Sequence, residues 1–154
     1  MLITFRFHYP ISRTMMFEKE HHPNLRFTLR EKRQFLKNAM TIWMFDHGAI
    51  VGETYGVALN GLNGMPEGCP RDSKSIYCYS TTILSRYQGR GYGKILKAAF
   101  IGRAACHFWR IYGHARRGPS QKLNKSFGAR FSKLYKNWYE TGENYRLYCL
   151  VLNI

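Results

Sequence analysis

Residues 80–100 read STTILSRYQGRGYGKILKAAF, a strand joined to a helix through a glycine-rich loop. Residues 76–84 are dense in β-branched and aromatic side chains, Gly89, Gly91 and Gly93 alternate with larger residues, and an apolar run carrying Lys94 and Lys97 follows. Consecutive backbone N–H groups at a helix N-terminus, uncovered by side chains, form a cradle for phosphate. A phosphorylated ligand is the first expectation.

Two common phosphate loops fail against this spelling. The nucleoside-triphosphate loop requires Gly where the chain has Gln88, and Ser or Thr where it has Ile95. The dinucleotide fingerprint requires a wider gap before its third glycine and an acid about 20 residues on. Here no Asp or Glu follows until Glu140. The segment Gln88-Gly89-Arg90-Gly91-Tyr92-Gly93 instead resembles the Q/R-x-x-G-x-G/A motif of the GNAT acyltransferases, in its letters and in its strand-loop-helix setting. That resemblance implies an α/β (α+β) fold: a central mixed, mostly antiparallel sheet of six or seven strands flanked by helices, with a splayed strand pair receiving the cofactor.

The rest of the chain agrees with a single domain over residues 1–154, whose length and 45% hydrophobic content suffice for one core. Gly/Pro-rich text is confined to residues 60–70, read as a loop between strands. No apolar run reaches the roughly 20 residues of a membrane span, and Arg6 interrupts the start where a signal peptide is apolar. A cytoplasmic protein without membrane association is expected. Cys69, Cys78, Cys106 and Cys149 are far apart and lack C-x-x-C spacing, which reads as reduced thiols and no metal site.

Residues 2–7 read as a first strand and 26–40 as a helix. Residues 41–45 and 49–59 form a predicted hairpin around Asp46-His47-Gly48. After the motif strand and helix come a strand at 110–114, a helix at 119–127 ended by Gly128, and a hairpin of 131–139 with 145–152. This order is similar to that of the GNAT family, with a shorter first helical region.

Carried across residue by residue, the resemblance implies that Ile83 and Leu84 face the acyl and pantetheine end. Gln88, Gly89, Arg90, Gly91, Tyr92, Gly93 and Lys94 would take the pyrophosphate of acetyl-CoA or another acyl-CoA, with Arg86 adding charge, and Asn124 would touch the pantetheine. The family places a Tyr two turns after that Asn, as the acid that protonates the leaving thiolate. This chain has Phe131 there, which has no proton to give, so Ser120, Ser126 or Tyr135 is the candidate donor.

An amine is protonated near neutral pH, so its attack requires a carboxylate or His to accept a proton. Of nine acids, Glu53 alone falls in a predicted central strand and is the candidate base; His107 and His114 are alternatives. His21 and His22, beside Glu18 and Glu20, are candidates to line the acceptor entrance. Adjacent residues do not share one ligand face, so no zinc site is expected there.

The formal net charge is +15, and no Asp or Glu occurs between residues 73 and 139, while Lys and Arg recur with Phe131, Tyr135, Trp138 and Tyr139 among them. Such a pattern suits nucleic-acid phosphates and bases. Arg116, Arg117, Lys122, Lys125 and Arg130 are the candidate acceptor-binding cations. The segments GHARRGPSQKLNKSFG and NWYETGENY are similar in rhythm to the phage Mom-type DNA-modifying members of the superfamily. That second resemblance implies acyl transfer to an amine on DNA or tRNA. A protein-lysine or small-amine acetyltransferase and a non-catalytic nucleic-acid-binding module stay open, as does the choice between monomer and homodimer.

Overall fold

The computed structural model describes residues 1–20 and 26–152; His21 and His22 lie outside them. The strands are β1 (Ile3–Arg6), β2 (Met40–Asp46), β3 (Ala49–Ala58), β4 (Ser75–Ile83), β5 (Arg110–Arg116), β6 (Arg130–Tyr135) and β7 (Tyr145–Val151). The helices are α1 (Leu29–Leu36), α2 (Tyr92–Ala105) and α3 (Pro119–Ser126), with a tight helical segment at Ile11–Glu20. The strands hydrogen-bond in the order β1-β2-β3-β4-β5-β7-β6. The recorded pairings are antiparallel except β4 with β5, giving the mixed, mostly antiparallel sheet expected. Contacts gather into two compact units, Met1–Gly56 with Ser80–Phe100, and Val57–Tyr79 with Ile101–Ile154.

In the first unit β2 and β3 turn at His47 and Gly48, whose φ angles of 47° and 80° suit a tight two-residue hairpin. Helix α1 is shorter than the predicted 26–40. Thr28 accepts the Glu31 N–H while Glu31 accepts the Thr28 N–H, a reciprocal cap that fixes the start, and β2 begins by Met40. The segment Ile11–Glu20 escaped the sequence reading because its composition carries no clear period. Its buried side chains are Thr14, Phe17 and Glu18. Phe17 joins Leu36, Trp43, Phe45, Tyr55 and Leu84 in the apolar core of this unit. Gly52 in β3 is a close-approach position, since a Cβ there would lie 2.6 Å from Ile83 Cδ1 and 2.9 Å from Leu96 Cδ2.

In the second unit β5 pairs with β7 along its whole length, from Arg110↔Val151 to Arg116↔Tyr145. The β4–β5 ladder covers only Ser75↔Arg110 to Tyr77↔Tyr112, although β4 runs on to Ile83. Pro119 opens α3 and Gly128, at φ 84°, follows its end, close to the predicted helix. The strand expected over 131–139 stops at Tyr135. Asn137, Tyr139 and Glu140 all have positive φ, which a continuing strand cannot accommodate.

Candidate functional site

The glycine-rich loop is held on both sides within the first unit. Before it, Glu20 accepts hydrogen bonds from the Ser85 N–H at 3.1 Å and the Ser85 hydroxyl at 2.5 Å. The Gln88 side chain donates to the Ile83 carbonyl at 2.9 Å. After it, the Tyr92 hydroxyl donates to Asp46, fastening the first residue of α2 to the end of β2 and holding the Asp46 carboxyl below its usual range.

Between these anchors the chain reverses through Gly89 at φ 77° and Gly91 at φ 83°. Only glycine enters this region without strain, and a Cβ at either position would project into open space. The Gly91 carbonyl receives the N–H groups of Lys94 and Ile95 at 3.0 and 3.3 Å, which starts the helix. Among the described residues the N–H groups of Gly89 and Gly91 make no hydrogen bond to another main-chain group. Arg86, Arg90 and Lys94 are exposed, the two guanidinium groups lying 5.0 and 5.9 Å from the Tyr87 ring. The result is an uncovered, cation-rimmed row of donors at a helix N-terminus, a receptor for a phosphate or pyrophosphate.

Ile83 ends β4 and Leu84 follows it, just before the loop. Both side chains are buried, Leu84 in the apolar core and Ile83 against Gly52, because packing claims them. What they leave for a ligand is main chain.

Glu53 is 1% exposed, and both its oxygens are engaged. Lys32 Nζ lies 2.7 Å from Oε1 and Trp43 Nε1 donates to Oε2 at 2.5 Å. Lys32, itself fully buried, also lies 3.0 Å from Glu18 and donates to the Thr14 carbonyl at 3.3 Å. Burial pushes the Glu53 carboxyl up, against the opposing pull of Lys32 and Trp43. Chemically this is a core ion cluster tying β3, α1 and the 11–20 segment together.

In the second unit Asn124 is 6% exposed. Its side-chain amide donates to the Ser120 carbonyl at 2.9 Å, while Oδ1 is buried with no hydrogen-bond partner among the described residues. A buried amide oxygen left unpaired is costly, and it fits an N–H donor from outside the chain. The Ser126 hydroxyl is exposed and donates to the Leu123 carbonyl at 2.7 Å, and Ser120 is half-buried. The Tyr135 hydroxyl donates to the Glu67 carbonyl at 3.2 Å, and burial raises its pKa, so it stays protonated near neutrality. Phe131 lies with its ring 6.0 Å from that of Tyr148.

His114 stacks on Trp138 at 4.0 Å, meets the Tyr135 ring edge-on, and shares a 2.6 Å hydrogen bond between Nδ1 and the Tyr77 hydroxyl. Burial lowers its pKa from 6.5 to about 4. Its Nε2 is buried and faces the Glu67 main chain, outside normal hydrogen-bond geometry. His107 is exposed at the end of α2. Of the candidate cations, Arg116 lies 3.3 Å from Glu143, and Arg117, Lys122, Lys125 and Arg130 are exposed.

No protein-family model and no curated protein sequence matches the chain. Solved structures do. Ard1 from Thermoplasma volcanium aligns over 99% of each chain, with a TM-score of 0.79 and 13% identity. The ribosomal-protein-S18-alanine N-acetyltransferase from Escherichia coli aligns over 99% of this chain and 96% of its own, with a TM-score of 0.77 and 11% identity. This chain has the GNAT fold. The GphF GNAT-like decarboxylase in complex with isobutyryl-CoA shares that fold over 97% of this chain and 100% of its own, at a TM-score of 0.77 and 15% identity.

Within this GNAT fold the motif loop stands where its spelling placed it, between β4 and α2. The Tyr77–His114–Trp138 arrangement was not read as a unit. No local spacing announces it, because Tyr77 and His114 lie 37 positions apart and meet only through the tertiary fold.

Proposed function

We propose that the chain transfers an acyl group from acetyl-CoA or another acyl-CoA to an amine. The observation that carries this reading is the loop from Gln88 to Lys94, with its two left-handed glycines, uncovered N–H groups and rim of cations. It suits the pyrophosphate of the cofactor, and the neighbours that share the fold include N-acetyltransferases and a protein holding isobutyryl-CoA. We assign the unpartnered Oδ1 of Asn124 to an amide N–H of the pantetheine arm.

In the reaction the amine nitrogen bonds to the thioester carbonyl carbon, the carbon–sulfur bond breaks, and the departing thiolate takes a proton. Among the donors considered, Tyr135 suits this last step best, because a phenol releases a proton far more readily than the aliphatic hydroxyl of Ser120 or Ser126; its hydroxyl leaves the Glu67 carbonyl to do so. For the proton lost by the amine, His114 is favoured over Glu53. It is neutral at pH 7, whereas both Glu53 oxygens are occupied.

For the acceptor we propose an amine on a nucleic acid, DNA or tRNA. The exposed Arg117, Lys122, Lys125 and Arg130 support this, since such cations can pair with successive phosphates of a polyanion. Activity toward such an acceptor falls steeply with salt. Equal, salt-insensitive activity on small free amines or lysine peptides would replace it with the simpler acceptor.

The cofactor test is calorimetry with acetyl-CoA on the native protein and on Gly91→Glu, with thermal melts to confirm that both are folded. Binding by the native protein that the variant loses is the expected result. No binding by either folded protein would overturn the reading.

A further inference from the structure

The indole of Trp109 is 53% exposed although its main chain is tightly held. Its N–H donates to the Lys74 carbonyl at 2.7 Å, and its own carbonyl accepts the Leu152 N–H at 2.8 Å. Beside it Val151 is 56% exposed. A cavity of about 330 Å³ is lined by Trp109, Arg110, Val151 and Leu152. A second, of about 140 Å³, shares Val151 and Leu152 and is also lined by Ile101, Ala105, Phe127 and Leu150. Together they make a hydrocarbon-walled groove. Two cations stand at it: Arg110 in the lining, and Lys74, whose Nζ lies 5.3 Å from the centre of the indole. The nearby Asp72 carboxylate is taken up by the Lys74 N–H at 2.7 Å and the Ser75 hydroxyl at 2.8 Å.

We propose that this groove docks an acidic polypeptide segment carrying a large apolar side chain. The walls offer contact to hydrocarbon and almost no polar partner, so the anchor is an apolar side chain rather than a base edge. Lys74 and Arg110 select carboxylates on the residues flanking that anchor. Charge argues against a second copy as occupant, because a chain of net charge +15 with nine acids would bring like charge to the groove. Stacking of a nucleobase on the indole is disfavoured because the Lys74 ammonium already covers one ring face. The site is independent of the acyl-CoA reading.

A library of random dodecapeptides displayed on phage, selected on the native protein, is the test, with Trp109→Ser/Arg110→Glu as counter-target. Unchanged thermal melting and acetyl-CoA titration of that variant show that it is folded. The expected enriched peptides carry net negative charge and one large apolar residue, and by fluorescence anisotropy they bind the variant roughly tenfold or more weakly. Enrichment of neutral or basic peptides, or of peptides binding both proteins equally, would overturn the proposal. So would a failure to enrich, Trp109-dependent binding of oligouridylate in place of acidic peptides, or self-association abolished by the variant.

Discussion

Replacing Lys32 with Met should destabilise the protein strongly, because it removes a buried cation shared by two buried carboxylates. Lys32 Nζ is 2.7 Å from Glu53 and 3.0 Å from Glu18, and the three side chains are 0%, 1% and 5% exposed. Breaking such a pair by removing one partner costs about 3–5 kcal/mol, since the remaining charge keeps its desolvation penalty and loses its compensation. At roughly 2–4 °C per kcal/mol for a chain of this size, melting falls on the order of 10 °C. Glu53→Gln keeps the side-chain volume and leaves Glu18 as a countercharge, so its cost is smaller, roughly 2 kcal/mol. Urea unfolding followed by tryptophan emission measures both, and the double variant gives the coupling between the two sites. A Lys32→Met protein within about 0.5 kcal/mol of native would refute the reasoning. The same variants decide the chemistry at Glu53. A kcat reduced about 10²-fold or more at unchanged stability would return it to the role of general base.

Other consequences are as direct. Gly113→Ala should cost about 1–3 kcal/mol, because its Cβ would lie 2.6–2.8 Å from atoms of the Tyr148 ring; denaturant midpoints check this. Asn124→Leu removes an unpaired buried oxygen together with the bond to Ser120, so stability should change by less than about 1 kcal/mol while acetyl-CoA binding weakens in calorimetry. His114 sets a pH dependence of stability: unfolded it takes a proton below about 6.5, but folded only near 4. The unfolded chain therefore binds more protons between these values, and stability falls as pH drops across that window. His114→Gln should flatten that segment of the curve, which denaturation at stepped pH would show.

The motif loop was legible because its requirements are local. Alternating glycines, a preceding β-rich run and a following apolar run state a strand, a turn and a helix in consecutive letters, and Gly89 and Gly91 hold the left-handed angles that such a turn needs. The β2–β3 turn was equally local. The ion cluster around Glu53 was not, since Glu18, Lys32 and Trp43 come from three separate elements and nothing in the VGETYGVAL run tells which way its acid points. Leu84 illustrates the same limit: the spelling placed it next to the loop, and packing with Phe17 and Trp43 decided where its side chain went. The early end of β6 had the plainest missed signal, an Asn at 137 before a run that contains Gly142.

The three tryptophans sit in very different surroundings, and this gives the molecule a built-in optical label. Trp43 and Trp138 are 4% and 8% exposed, whereas Trp109 stands in water beside Lys74. Long-wavelength emission therefore comes chiefly from one indole, and iodide, drawn in by the ammonium, will quench it ahead of neutral acrylamide. An occupant of the groove should shield that emission and shift it to the blue, so occupancy can be followed in unmodified protein without attaching any dye.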